Sequence, residues 1–243
     1  MRIDAYLCQS GMLSSRTEAK NLIKQGAVAV NGKTVTKPAF EVDDEVDTVE
    51  VDRSSIKYVS RGGLKLSEAL ERFDIDVSGK NAIDVGASSG GFTDCLLQNG
   101  ARHVIAVDSG SGQMAPSLRE DPRVTVVENY NARYMKPQDF AYSPELAVMD
   151  VSFISATLII PSLYNCLASG ADYVLLIKPQ FEVGKSGVGK GGIVKNATIR
   201  DSAVERVLSS ASALGFECRG VIQSPIKGGD GNVEFLAHFV KKP

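Results

Sequence analysis

The stretch Ala82–Leu97, A-I-D-V-G-A-S-S-G-G-F-T-D-C-L-L, constrains the fold most. Ala82–Val85 is a short apolar run that reads as a buried strand. Gly86, Gly90 and Gly91 mark a tight loop, and Phe92–Gln98 has the apolar spacing of a helix start. Strand, glycine-rich loop and helix in succession form the first unit of a doubly wound α/β sheet. The glycines let backbone N–H groups approach a ligand, and a helix N-terminus favours negative charge. The spacing differs from the dinucleotide fingerprint G-x-G-x-x-G, so the loop alone indicates only a nucleotide-type fold. Two carboxylates sharpen it. Asp84 sits inside the strand end, placed to meet a cationic group or to order the loop. Asp108 ends the next apolar run, Val104–Asp108, and is placed to accept hydrogen bonds from a ribose, or simply to start a turn. Together they suggest an S-adenosylmethionine (SAM) pocket over a phosphate pocket.

Downstream the pattern alternates. Strands are predicted at Asn81–Val85, Val104–Asp108, Val124–Glu128, Leu146–Met149, Tyr173–Lys178, Cys218–Ser224 and Val233–Val240. Helices are predicted at Thr93–Asn99, Met114–Glu120, Ile154–Leu167 (with Pro161 as a possible kink) and Thr198–Leu214, besides one after Arg61-Gly-Gly running to about Phe73. This argues for an open, mostly parallel Rossmann-like sheet, its last two strands an antiparallel hairpin at one edge.

Residues 1–55 read as a small α+β domain of their own, 56–60 as a linker and 61–243 as the large domain. In the small domain Ile3, Leu7 and Met12–Leu13 are spaced for a short helix ending near Gly11. Ser15-Arg-Thr-Glu18 fits a capping box ahead of a helix Arg16–Gln25, and Asn31-Gly32 between Val28–Val30 and Lys33–Val35 signals a hairpin. Net charge is −2, but it is unevenly spread: residues 38–52 hold seven acids and no base, whereas Arg2, Arg16, Lys20, Lys24, Lys33 and Lys37 precede them. A basic helix beside a hairpin suits RNA phosphates, or is a solvated face.

Cys8, Cys95, Cys166 and Cys218 lie far apart without C-x-x-C spacing and read as reduced thiols of a cytoplasmic protein. With two histidines, both in apolar runs, no metal site is expected. No signal core is present, and no apolar stretch reaches the roughly 20 residues of a membrane span. Gly184–Gly191 nearly fits a P-loop, but Gly191 replaces the magnesium-binding hydroxyl. A flexible basic loop with Lys185, Lys190 and Lys195 is the expectation.

Ligands of such sheets bind beyond the carboxyl ends of the strands. Asp150 and Lys178 each end a fully apolar strand there, Glu234 lies near the last strand, and Lys65 sits beside inward leucines. Methyl transfer to a ribose 2′-hydroxyl needs a base, and a lysine serves once desolvation or a second cation favours its neutral form. The arrangement suggests Lys178 as base, Lys65 as the second cation that also orients the ribose, Asp150 holding lysine and methyl donor, and Glu234 fixing the lysine pair.

Three resemblances add to this. S-S-R-T-E-A-K-N-L-I-K-Q-G-A-V-A-V-N-G-K resembles the RNA-binding domain of small-subunit ribosomal protein S4, which implies contact with structured RNA; Arg2, Arg16, Lys20, Lys24, Lys33 and Arg61 are the basic residues expected to make it. Residues 60–243 resemble FtsJ-type ribose methyltransferases, whose Lys-Asp-Lys-Glu set lands on Lys65, Asp150, Lys178 and Glu234. The S4-like segment combined with G-A-S-S-G-G-F-T-D, V-M-D-V-S-F-I-S and I-K-P-Q-F-E resembles the hemolysin A (TlyA) family. That family implies SAM-dependent 2′-O-methylation of ribosomal RNA at cytidine, with cofactor contacts at Gly86, Ser88, Gly90, Gly91, Asp108 and Asp150; Asp84, at its strand end, is expected to join them. A non-catalytic ribosome assembly factor and, from the family's name, a cytolysin are the alternatives.

Overall fold

The computed structural model describes residues 1–13, 15–52, 57–184, 187–228 and 231–242. It divides into two compact units, Met1–Arg61 and Gly62–Pro243. The boundary therefore falls one residue after the expected start of the large domain. Of the expected linker, Ile56 lies outside the described residues.

The first unit opens with helices α1 (Ile3–Gln9) and α2 (Arg16–Lys24). Ser15 caps α2 by accepting from the Glu18 N–H, which satisfies one of the orphan donors of the first turn. Strands β1 (Val28–Val30) and β2 (Lys33–Thr34) form the expected hairpin. Asn31 and Gly32, at φ of 51° and 73°, make the left-handed turn that matches strand twist. A third strand, β3 (Val49–Val51), pairs antiparallel with the other side of β1, in the acid-rich stretch where no strand is expected from the sequence. Ile3, Leu7, Ala19, Ile23 and Val28 fill the core between helices and sheet.

The second unit begins with α3 (Gly62–Arg72) and continues through β4 (Asn81–Val85), α4 (Gly91–Gln98), β5 (His103–Val107), α5 (Pro116–Arg119), β6 (Val124–Val127) and β7 (Leu146–Met149). Then come α6 (Ile160–Cys166), β8 (Asp172–Ile177), α7 (Pro179–Glu182), α8 (Ala197–Leu214), β9 (Phe216–Gln223) and β10 (Phe235–Lys241). The seven-stranded sheet has the order β6-β5-β4-β7-β8-β10-β9. Its first five strands are parallel, and β10 and β9 close one edge antiparallel. Parallel strands covered on both faces are apolar throughout, and β7 is fully buried. The chain winds outward from β4 in one direction, then returns to lay β7 on its other side. This switch point opens a crevice above the ends of β4 and β7.

Three expectations change. The expected helix Ile154–Leu167 is a 3₁₀ turn, Ala156–Leu158, followed by α6, with Pro161 in the first turn, where its missing N–H costs no bond. The expected helix Met114–Glu120 shortens to one turn, because Pro116 holds Ala115 extended at ψ 136°. The described part of the glycine-lysine loop is anchored rather than free. Asn232, buried, accepts from the Val194 N–H and donates to the Gly192 carbonyl. Lys190 and Lys195 are exposed there, and Lys185 lies outside the described residues.

Candidate active site

A cavity of about 380 Å³ lies at the switch point, within the size range of small-molecule sites. Gly86 forms its floor where β4 ends. A Cβ built on Gly86 would stand 2.5 Å from the Asp150 carbonyl oxygen, and φ is +86°. Only glycine lets the β4 loop approach β7 this closely. Gly86→Ala is therefore expected to separate the two strand ends and weaken cofactor binding at least tenfold, measurable by calorimetry.

Of the residues expected to hold a cofactor, Gly86, Ser88, Asp108 and Asp150 line this cavity. Asp108 accepts the Ser88 N–H at 2.7 Å on one oxygen and the Gly110 N–H at 2.7 Å on the other. It staples two loops, and each oxygen keeps a second lone pair for a ligand. The other three stand outside the lining. Asp84 is fully buried under the loop, accepting from Thr93 Oγ1 of α4 at 2.7 Å. Gly90 adjoins Leu118, with no room for a Cβ, and Gly91 is buried at the start of α4. Gln113, Tyr130 and Asn131 line the cavity without having been anticipated. Their signal is position, since Tyr130 and Asn131 follow the end of β6, but being uncharged they do not stand out among the strand ends.

The four residues of the Lys-Asp-Lys-Glu set form two ion pairs. Lys178 Nζ lies 2.5 Å from Asp150 Oδ1 and donates to Ser152 Oγ at 2.8 Å. Lys65 Nζ, on α3, lies 2.6 Å from Glu234 Oε2, both side chains nearly enclosed. The sheet explains the meeting. Parallel β7 and β8 bring Asp150 and Lys178 to one end, and the antiparallel register pairing Phe235 with Ile177 sets Glu234 opposite Lys178. Glu234 pairs with Lys65 alone among the described residues, rather than bridging both lysines.

Beside this set lies Phe153, 93% exposed yet at the cavity wall, with φ +64°. A left-handed bulky residue is strained and persists only where its surroundings hold it. Its ring leans on Phe181, centroids 5.2 Å apart. An exposed aromatic face of this kind suits base stacking, worth about 1–3 kcal/mol per base. Phe153→Ala is expected to weaken binding of a single-stranded nucleic-acid probe about tenfold while leaving cofactor affinity within a factor of two, as calorimetry with each ligand would report.

This geometry has counterparts. A model of FtsJ-like methyltransferases matches residues 58–241. The chain belongs to the FtsJ-like methyltransferase family. It is 46% identical, over 97% of its length and 88% of the relative's, to the 16S/23S rRNA (cytidine-2′-O)-methyltransferase TlyA of Mycobacterium tuberculosis. It is 43% identical to Hemolysin A of Brachyspira hyodysenteriae, over 99% of this chain and all of that one. A solved structure from Streptococcus thermophilus that carries a hemolysin name superposes with a TM-score of 0.80 at 44% identity, covering this whole chain and 88% of the other.

Ahead of its methyltransferase unit this family member carries an S4 domain, matched over residues 1–48. Arg2, Arg16, Lys20, Lys24 and Lys33 are all exposed on the first unit, and Arg61, half-buried, is its last residue. Two of them share an organiser. The fully buried carboxylate of Asp4 takes the Arg2 fork at 3.0 and 3.1 Å and Arg16 Nη2 at 2.9 Å. Burial pushes the Asp4 carboxyl up, but these bonds outweigh it and hold it below the usual carboxylate range. Both guanidiniums are thereby drawn to one point while staying about half exposed, at 49% and 55%. In the second unit, no helix among the described residues is long and apolar enough to cross a membrane, nor is any in the first.

Proposed function

We propose that this chain transfers a methyl group from SAM to a ribose 2′-hydroxyl of ribosomal RNA, at cytidine as in the relative's name. The observation that carries the reading is the Lys178–Asp150 pair, 11% and 22% exposed, whose Asp150 lines the cavity, so that the lysine stands beside it with little competing water. The cavity fits the cofactor in size, in the glycine floor at Gly86, and in the Asp108 carboxylate, whose free lone pairs suit ribose hydroxyls. Bound SAM supplies an electrophilic methyl on a sulfonium.

The protein's own part is positioning and proton transfer. Lys178 takes up the 2′-hydroxyl proton as the ribose oxygen accepts the methyl group. Asp150 and Ser152 aim its Nζ, and Asp150 also lines the cavity. Lys65, held by Glu234, donates to the ribose and orients it. The S4 domain, with Arg2, Arg16, Lys20, Lys24, Lys33 and Arg61, grips RNA phosphates. Such an enzyme works in the cytoplasm, where ribosomal subunits are. Transfer of labelled methyl from SAM to isolated, unmodified small and large subunits tests the reading. Label is expected on RNA of at least one subunit. Absence from both, with SAM binding intact, would favour a ribosome assembly factor.

A further inference from the structure

The short helix α7 starts directly after Lys178 and ends on Glu182. Glu182 is 4% exposed, and no cation pairs with its carboxylate among the described residues. A buried carboxylate without a countercharge is costly unless its hydrogen bonds hold it. Both of its oxygens are used on one loop. Oε2 accepts from Ser155 Oγ at 2.5 Å, and Oε1 accepts the Ala156 N–H at 2.8 Å. That loop carries Ser152, which receives the Lys178 Nζ bond, and Phe153 with its left-handed backbone. Phe181 of the same helix supports the Phe153 ring. Arg206 of α8 donates to the Glu182 carbonyl at 3.0 Å and fixes the helix end.

We infer that Glu182 is a positioning residue that clamps the Val151–Ala156 loop to the Lys178 helix, holding Ser152 and Phe153 in register with the base. The inference rests on the proposed role of Lys178. With the clamp gone, the loop is free to relax its strained backbone and withdraw Ser152 from Nζ.

Four variants test it: Glu182→Gln, Glu182→Ala, Ser155→Ala and the Ser155→Ala/Glu182→Ala double. Each is followed by kcat, RNA KM, SAM affinity and hydrogen exchange of the 151–158 segment. Glu182→Ala is expected to lower kcat about 30-fold, leave SAM affinity within about threefold, and speed exchange in that segment. Glu182→Gln keeps an acceptor for Ala156 and a donor for Ser155, so it should stay within threefold of wild type on every readout. The double variant should lose less than the product of the two single losses, because both singles break the same Ser155–Glu182 bond; Ser155 also caps the Ala156–Leu158 turn through the Thr157 N–H and adds that part of its own. A kcat for Glu182→Ala within twofold of wild type would overturn the inference. So would multiplying effects in the double variant, or equal losses in Gln and Ala together with lost SAM binding. If wild type itself methylates no RNA, the parent reading fails; the clamp is then decided by exchange alone, and unchanged exchange in Glu182→Ala overturns it.

Discussion

Lys178→Ala is expected to slow methyl transfer to RNA about 10³-fold while SAM still binds. A positioned base typically contributes 10²–10⁴-fold, and this lysine has the placement such a base needs. Its Nζ lies between Asp150 at 2.5 Å and Ser152 at 2.8 Å, on a side chain only 11% exposed. Water cannot easily substitute in that position, and the truncation also leaves Asp150 without its partner. Single-turnover transfer of labelled methyl, paired with calorimetric SAM binding, measures the two effects separately. A variant within tenfold of wild type would remove Lys178 from the role of base.

Asp84 carries the second large effect, on stability. Burial pushes its carboxyl up to about 7, and the charges of Asp150 and Asp108 add to the push, against the Thr93 hydrogen bonds. Its second oxygen, Oδ1, is buried without a hydrogen-bond partner. Since the folded value exceeds the unfolded one, near 3.8, the folded state keeps a proton that the unfolded state has lost. Stability therefore falls as pH rises from about 4 to 7 and levels above that, a total cost of about 4 kcal/mol at ~1.4 kcal/mol per unit. Asp84→Asn removes the titration and keeps an acceptor for Thr93. Between pH 5 and pH 8 its stability relative to wild type should improve by about 3 kcal/mol. Urea unfolding of both proteins at the two pH values measures this, and parallel behaviour of variant and wild type would contradict it.

Legibility in the sequence followed the physics of each element. Strands β4, β7 and β8 are buried on both faces, so their apolar runs mark them within a residue. The hairpin at Asn31-Gly32 declares itself because few other residues adopt two successive left-handed conformations. Strand β3 was hidden: three residues among acids, with only Val49 buried, carry no periodicity, and its existence depends on an edge of β1 that needs a partner. The site divided the same way. Residues at strand ends, such as Asp108, Asp150 and Lys178, could be placed from topology alone. Asp84 has the sequence position of a site residue, but its burial turns it toward Thr93. Glu182 and Phe153 escaped because their meaning is tertiary. One is a carboxylate without a cation and the other an aromatic at positive φ, and neither property exists until the chain is folded.

The most direct test of the central claim is the chemical position of the transferred methyl. Ribosomal RNA from unmodified subunits, labelled by this protein with methyl-labelled SAM, would be hydrolysed in alkali. Alkaline cleavage requires a free 2′-hydroxyl, so a ribose methyl protects the adjoining linkage. Label in alkali-resistant dinucleotides carrying cytidine is the predicted result. Label released in mononucleotides would place the methyl on a base and contradict the account of Lys178 as the base that deprotonates a ribose.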